Sequence, residues 1–433
     1  MQRLFILLVF SLPVAAKACP DLSTFYPGND PDWSSLDEQL TALFSECLES
    51  TEYFALLGAA QLNSGKLADA LESLERALLI EPNNAAASVD YAQALFIEGE
   101  LFTALEINQQ LLDLQEFPAN VEQLLLNRQQ TWQALTRQTG FQADLLAGYD
   151  SNLNGAPDAS QVNLTLSGES IQLALNPEFQ PISGPYLNMR LLGRHRRLAP
   201  AHQHNWSAAV RGRLSEDSNS DILQLETRYA FDRPGRLRSW QLGAGMNHLA
   251  FGGNAIFSGT DVSARFQPFS ARRCKPYYGL ALQHQFYHQQ SRLNGLESKL
   301  STGLNCNAGD SQQIGMEIGL LNNAALRSDR LGGDRYGWQL NLNWRVLLPR
   351  GVLQAQVNHM EFDDRQGYSL LLDTGAKRKL DRSFLVLQYR QPLQLWGRNT
   401  DLLVNLYHQR QHSNIELFSS NDTTTEIGLS WAF

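Results

Sequence analysis

Thr423-Thr424-Thr425-Glu426-Ile427-Gly428-Leu429-Ser430-Trp431-Ala432-Phe433 is the stretch that decides the fold. From Glu426 onward it alternates. Glu426, Gly428, Ser430 and Ala432 fall on one face of an extended strand, and Ile427, Leu429, Trp431 and Phe433 on the other. A strand that is apolar on one side and polar on the other suits the wall of a lipid-embedded barrel, whose outer surface meets hydrocarbon and whose inner surface meets water. The same period recurs upstream. Trp338-Gln339-Leu340-Asn341-Leu342-Asn343-Trp344-Arg345-Val346 places every apolar residue outward and every polar one inward, with Trp at both margins, where aromatic rings mark membrane interfaces. Leu223 to Tyr229 and Leu402 to His408 repeat the pattern. A soluble barrel would invert it and would have to bury charges of both signs.

Segments of this kind run from Phe141 to the end and number about fourteen, an even count as expected of a single-chain barrel. Their connections sort into tight turns, such as Pro349-Arg350-Gly351, and longer polar loops, such as 364–380. The connection over 150–184 is the long exception, and a plug-like or inward segment is expected there. Ahead of the strands the period is helical. Leu57, Gly58, Ala70, Leu74, Ala77 and Pro82 stand at the spacing of a tetratricopeptide repeat, in which small residues let paired helices approach. Tyr91, Ala92 and Ala104 recur 34 residues on, although Asn108 replaces a large apolar residue, and capping helices are expected near 35–49 and 119–137.

The chain begins with Arg3, an apolar run from Leu4 to Val14 and Ala16-Lys17-Ala18, which together read as an export signal over 1–18. The expected organisation is therefore a signal over 1–18, a helical domain over 19–139 and a barrel over 140–433, an α+β multidomain chain. No later segment offers some eighteen continuous apolar residues, which excludes helical membrane spans, and a net charge of -9 argues against nucleic acid as a partner. In an exported protein four cysteines are candidate disulfides, Cys19 with Cys47 and Cys274 with Cys306, with lipid attachment at Cys19 as the alternative for the first.

Gly148, Asp150, Asn152, Asn154, Ala156 and Pro157 form a compact motif directly after the helical module and before about fourteen strands. This arrangement resembles the surface lipoprotein assembly modulators, the Slam family. The resemblance implies a periplasmic helical domain, an outer-membrane barrel, a lipoprotein client with or without a periplasmic chaperone, and contact with outer-membrane lipids. Glu426, Gly428, Trp431 and Phe433 similarly resemble the insertion signal of bacterial outer-membrane barrels, which implies handling by the barrel assembly machinery. A monomer is expected. The runner-up is an exopolysaccharide export porin carrying tetratricopeptide repeats, or a passive porin.

No catalytic, cofactor or metal site is expected. Asp150-Ser151-Asn152-Leu153-Asn154-Gly155 imitates the start of a calcium loop, but Gln161 stands where a bidentate Glu belongs and no helix precedes it. His412 and Ser413 are adjacent on a strand and so point to opposite faces, which separates a nucleophile from a base. Arg190, Arg194, Arg211, Arg213 and Arg228 are expected to face the lumen on neighbouring strands with Glu226 among them. They either brace the wall by pairing with acids, the favoured role, or guide an acidic polypeptide or anionic polymer.

Overall fold

The computed structural model describes residues 18–26, 28, 31–114, 117–235, 238–269, 273–395 and 397–433. The expected export signal, apart from Ala18, lies outside the described residues. The chain divides into two units, 1–136 and 137–433.

The first unit holds α1 (Trp33–Ala42), α2 (Thr51–Asn63), α3 (Leu67–Ile80), α4 (Ala85–Glu98), α5 (Leu101–Leu114) and α6 (Ala119–Leu135). Several starts have a local cause. Ser50 and Asn84 accept the amide protons of Tyr53 and Ala87, satisfying donors that a helix cannot satisfy itself. Gly99 ends α4 at a φ of 98°, a left-handed cap that a Cβ would strain. Ala70, Leu74 and Ala77 of α3 are fully buried, and a methyl on Gly58 would stand 2.5 Å from the Leu74 side chain, so the small residue sets the approach of α2 and α3. Asn108, where the repeat spacing asks for an apolar residue, is buried and donates to Leu125 O at 3.0 Å and to Gln129 Oε1 at 2.8 Å. It pins α6 by hydrogen bonds instead of packing, which is why the second repeat loses its apolar letter. Cys19 and Cys47 are joined by a disulfide at a Cα separation of 4.7 Å, closing the N-terminal segment onto the core that contains Leu40 and Tyr53.

The second unit is a closed antiparallel barrel of fourteen strands among the described residues. Its first strand, β1 (Arg137–Asp150), begins a few residues before Phe141, because Arg137–Gly140 continue the ladder with Arg194–Arg197 beyond the apolar band. A separate hairpin follows, β2 (Gln161–Leu166) and β3 (Glu169–Ala174). The wall then runs through β4 (Gly184–Leu198), β5 (Gln203–Ser215), β6 (Ile222–Arg233), β7 (Arg238–Phe251), β8 (Asn254–Pro268), β9 (Cys274–Tyr287) and β10 (Gly295–Asn307). It continues through β11 (Gln312–Ala325), β12 (Arg335–Leu348), β13 (Gly351–Gly367), β14 (Lys377–Leu395), β15 (Arg398–Ser413) and β16 (Ser420–Ala432). Closure comes from β16 pairing with β1, Glu426 opposite Gly148 and Leu429 opposite Leu145. Closure leaves no strand edge unpaired, the condition for a sheet in hydrocarbon.

The two faces separate by chemistry. Outward positions are large and apolar, among them Leu191, Leu242, Leu280, Leu300, Leu320 and Ile427, all exposed in the isolated chain. Inward positions on the same strands include the buried Asp144, Asn188, Ser301, Asn358, Asn405 and Glu426. Apolar outside and polar inside is the arrangement of a membrane-spanning barrel. The end that carries Arg137 and Phe433 has short connections such as 349–350, and the opposite end carries the longer ones, including 326–334, 368–376 and 151–183. Cys274 and Cys306 pair directly across β9 and β10 at the short-turn end and form the second disulfide.

Candidate functional site: the lumen and its loop-side mouth

The lumen is organised by two glutamates on opposite walls, Glu426 buried and Glu317 half-buried. In β1, Gly148 lies between Tyr186 of β4 and Glu426 of β16 in one row of the ladder. The Tyr186 ring lies across Gly148 so closely that a methyl there would stand 2.5 Å from its Cζ. This lets the Tyr186 hydroxyl reach over a whole strand and donate to Glu426 Oε1 at 2.8 Å. Asn188 donates to the same oxygen at 2.7 Å, Asn405 donates to Oε2 at 2.9 Å, and Arg211 stands 3.7 Å away. This carboxylate, 3% exposed, has both oxygens hydrogen-bonded.

Seven strands round the barrel the same device recurs. Gly303 of β10 lies between Tyr277 of β9 and Glu317 of β11, the Tyr277 ring covers Gly303, and its hydroxyl donates to Glu317 Oε2 at 3.1 Å. Lys299 at 2.5 Å and Arg265 at 3.9 Å complete the second hub, and the Arg265 guanidinium sits 4.4 Å above the Tyr277 ring. Gly148 is thus explained by the close approach of an aromatic ring.

The Gly148 to Pro157 motif closes the mouth above the first hub. Asp150, 1% exposed, accepts from Asn152 N at 2.8 Å and from Arg213 Nη1 at 2.7 Å. The Asn152 side chain clasps Ala156 twice, through its amide at 2.8 Å and its carbonyl oxygen at 2.9 Å. Asn154 holds the returning chain through Gln180 O and Ile182 N, and Gly155 takes a φ of 62°. Arg213 also donates to Leu153 O and Ser220 O, tying the turn to the connection between β5 and β6. The polar letters that imitate a calcium loop are spent on this turn. The rest of the segment departs from the plug expected over 150–184: β3 is exposed along its whole length, and β2 leans on the 368–376 loop through Thr165 N to Leu371 O at 2.9 Å. Only the motif tucks in; the hairpin stands at the mouth, because its apolar residues Leu166, Ile171 and Leu173 find no buried face.

Of the five arginines expected in the lumen, all lie at inward register positions. Arg213 pairs with Asp150, Arg211 with Glu426 and Arg228 with Asp261 at 3.9 Å. Bracing accounts for these three. A second arginine group lies on the other wall at the loop end. Arg335 of β12 and Arg378 of β14 both hold Asp364 of β13 at 3.2 Å, and the Arg378 guanidinium lies 4.6 Å from each of the Tyr368 and Phe418 rings, which pack edge to face. Arg330, 4% exposed, folds in from the 326–334 loop and donates to Asn323 Oδ1 at 2.6 Å. Burial holds the Arg330 guanidinium below its ordinary pKa. Arg382 of β14 binds Gln411 and has no carboxylate partner among the described residues. Arg335 and Arg382 line a cleft of about 290 Å³ in the lumen. The sequence held no local signal for this group, because a loop and three consecutive strands supply it and the cross-strand register decides which residues meet.

Ser413 pairs inward with Leu380 and His412 outward with Asp381, so they stay on opposite faces. His359, Glu361 and Asp381, on the outer face near the loop end, have ligand atoms within 4.8 Å of one another, with both carboxylates open to solvent. His359 is already engaged with Ser383 at 3.0 Å and Glu361 with Trp338 at 3.0 Å.

No family model and no curated protein matches the chain. Among solved structures, the outer membrane channel DcaP of Acinetobacter baumannii is 9% identical, with 69% of this chain and 98% of that one covered at a TM-score of 0.39. An anion-selective porin from Comamonas acidovorans is 11% identical, with 69% and 99% covered at a TM-score of 0.33. PcrH in complex with the chaperone binding region of PopD is 20% identical over 24% of this chain and 80% of that one, at a TM-score of 0.22.

Proposed function

We propose that this chain is a non-enzymatic outer-membrane translocator that assists delivery of lipoproteins to the cell surface. The observation that carries the reading is the join: α6 ends at Leu135 and β1 starts at Arg137, so a module of paired helices is fused with one intervening residue to the short-turn end of a membrane barrel. Short turns face the periplasm in bacterial barrels, which supports a periplasmic helical unit that meets exported clients and chaperones. Paired-helix repeats offer surfaces for peptide segments, and Leu79, Ile80 and Ile97 are exposed apolar residues of α3 and α4. The terminal Glu426, Gly428, Trp431 and Phe433 serve the barrel assembly machinery. In the absence of nucleotide in the periplasm, passage runs on binding or folding of the client outside.

The test co-expresses the protein with surface lipoproteins of the same cell and probes intact cells with protease and antibody. Loss of display on deletion supports the reading, and unchanged display of every candidate refutes it. The loop-end arginines favour a second reading, an export porin for an anionic polymer. Loss of secreted polymer with normal lipoprotein display would select it.

A further inference from the structure

The two lumen walls differ in charge balance. Around the first hub the buried Glu426 and Asp150 have Arg211 and Arg213, whereas at the loop end of the other wall four guanidiniums, Arg330, Arg335, Arg378 and Arg382, face two carboxylates, Asp364 and Glu297. The carboxylates are also occupied. Asp364 takes Arg335 and Arg378, and Glu297 accepts from Gln285 and Asn323, both at 3.2 Å. Asp334, the next acid, accepts from Ala325 N and pairs with Arg365 on the rim.

Arg330 and Arg382 therefore carry charge that no protein group within ion-pair distance neutralises among the described residues, and Arg330 Nε, in a side chain 4% exposed, has no hydrogen-bond partner. Burying uncompensated like charges is costly, and nothing in the packing requires it here. Asn323 and Gln411, the amides that fix Arg330 and Arg382, line the same cleft of about 290 Å³ as Arg335 and Arg382, so two guanidiniums against one carboxylate, Glu297, border a space large enough for a small ligand, with Arg330 outside its lining.

We infer that this cleft is a binding site for a dianionic oxyanion of the phosphate class, held by Arg335 and Arg382 with Arg330 behind them. Guanidiniums suit oxyanions, and the excess of positive charge over carboxylates favours a dianion over a monovalent carboxylate. The residues face the lumen, so the ligand arrives in solution or on a polymer in transit and not on a membrane headgroup. The site does not depend on which client the barrel serves.

The experiment uses the full chain in detergent micelles, with the heat-induced shift in electrophoretic mobility as the measure of folding and titration calorimetry as the measure of binding. Inorganic phosphate, sulfate and acetate are compared at equal ionic strength, and polyphosphate forms a separate arm. The expected result is saturable binding of phosphate and sulfate, at least tenfold weaker binding of acetate, and a further tenfold loss in Arg382→Gln with folding retained. Arg228→Gln, on the opposite wall, leaves binding unchanged. Polyphosphate binding more tightly than phosphate identifies a polymer as the natural source, and equal affinity per phosphate identifies a free solute. If Arg382→Gln fails to fold, the wild-type midpoint decides: a rise with phosphate that acetate does not match supports the site. No saturable phosphate binding, equal binding of acetate, or equal loss in Arg228→Gln would overturn it. Lipoprotein display is scored separately, so this inference and the translocator reading fail independently.

Discussion

The Glu426 wall and the Asp364 wall of one lumen treat buried charge in opposite ways. On the first, a carboxylate is enclosed by Tyr186, Asn188, Asn405 and Arg211, and its neighbour Asp150 by Arg213. On the second, arginines outnumber the acids they touch. The first arrangement gives Glu426 and Asp150 a cation each and serves the barrel's own rigidity. The second is complete only with something added, and that difference separates scaffold from site.

The largest effect that would break the comparison is expected at Arg213. Arg213→Ala leaves Asp150 buried without its cation and frees two carbonyls, and should cost about 3–5 kcal/mol, read as an earlier mobility transition on heating; phosphate should not restore it. Gly148→Ala and Gly303→Ala come next, each about 1–3 kcal/mol because a methyl collides with a tyrosine ring. Equal losses would sharpen the view that the two hubs are one device used twice, and a loss at Gly148 alone would break it. Asp364→Asn should cost about 1–2 kcal/mol by removing the only acid that Arg335 and Arg378 share, and here added phosphate should recover most of the loss. Recovery on this wall and none at Arg213 is the contrast to look for.

The smallest effect lies in the helical unit, where Asp90 is pushed up to about 6 by burial, with Arg128 pulling the other way. Its folded pKa lies above the unfolded value of 3.8, so the folded state holds more protons between the two and stability falls as pH rises through that window. Asp90→Asn should flatten the pH 4 to 7 slope of the melting temperature and raise stability at pH 7 by no more than about 1 kcal/mol.

The wall of the barrel was legible because its signal is local. Period-two alternation, broken by turn residues, locates the strands, their inward faces and the end on which Cys274 and Cys306 meet. The tetratricopeptide positions Gly58, Ala70 and Leu74 were legible for the same reason, since two helices in sequence pack on each other. Properties created by pairing across the sheet were not legible. Arg330, Arg335, Arg378 and Arg382 become neighbours only through the sheet, and the Tyr277, Gly303 and Glu317 row matches the Tyr186, Gly148 and Glu426 row only when strand order is known. The β2–β3 hairpin was a missed local signal: Val162, Leu164 and Leu166 alternate before Ser167-Gly168, both at positive φ, and Ile171 and Leu173 follow. Its polarity hid it within a loop.

The most direct test of the account attaches an environment-sensitive fluorophore to single cysteines at consecutive positions of Trp338–Val346 in the full chain reconstituted in lipid vesicles. Hydrocarbon-like emission at residues 340 and 342, alternating with water-like emission at 341 and 343, is the predicted result. Uniform emission along the strand, or the reverse alternation, would contradict a barrel with hydrocarbon outside and a polar lumen within.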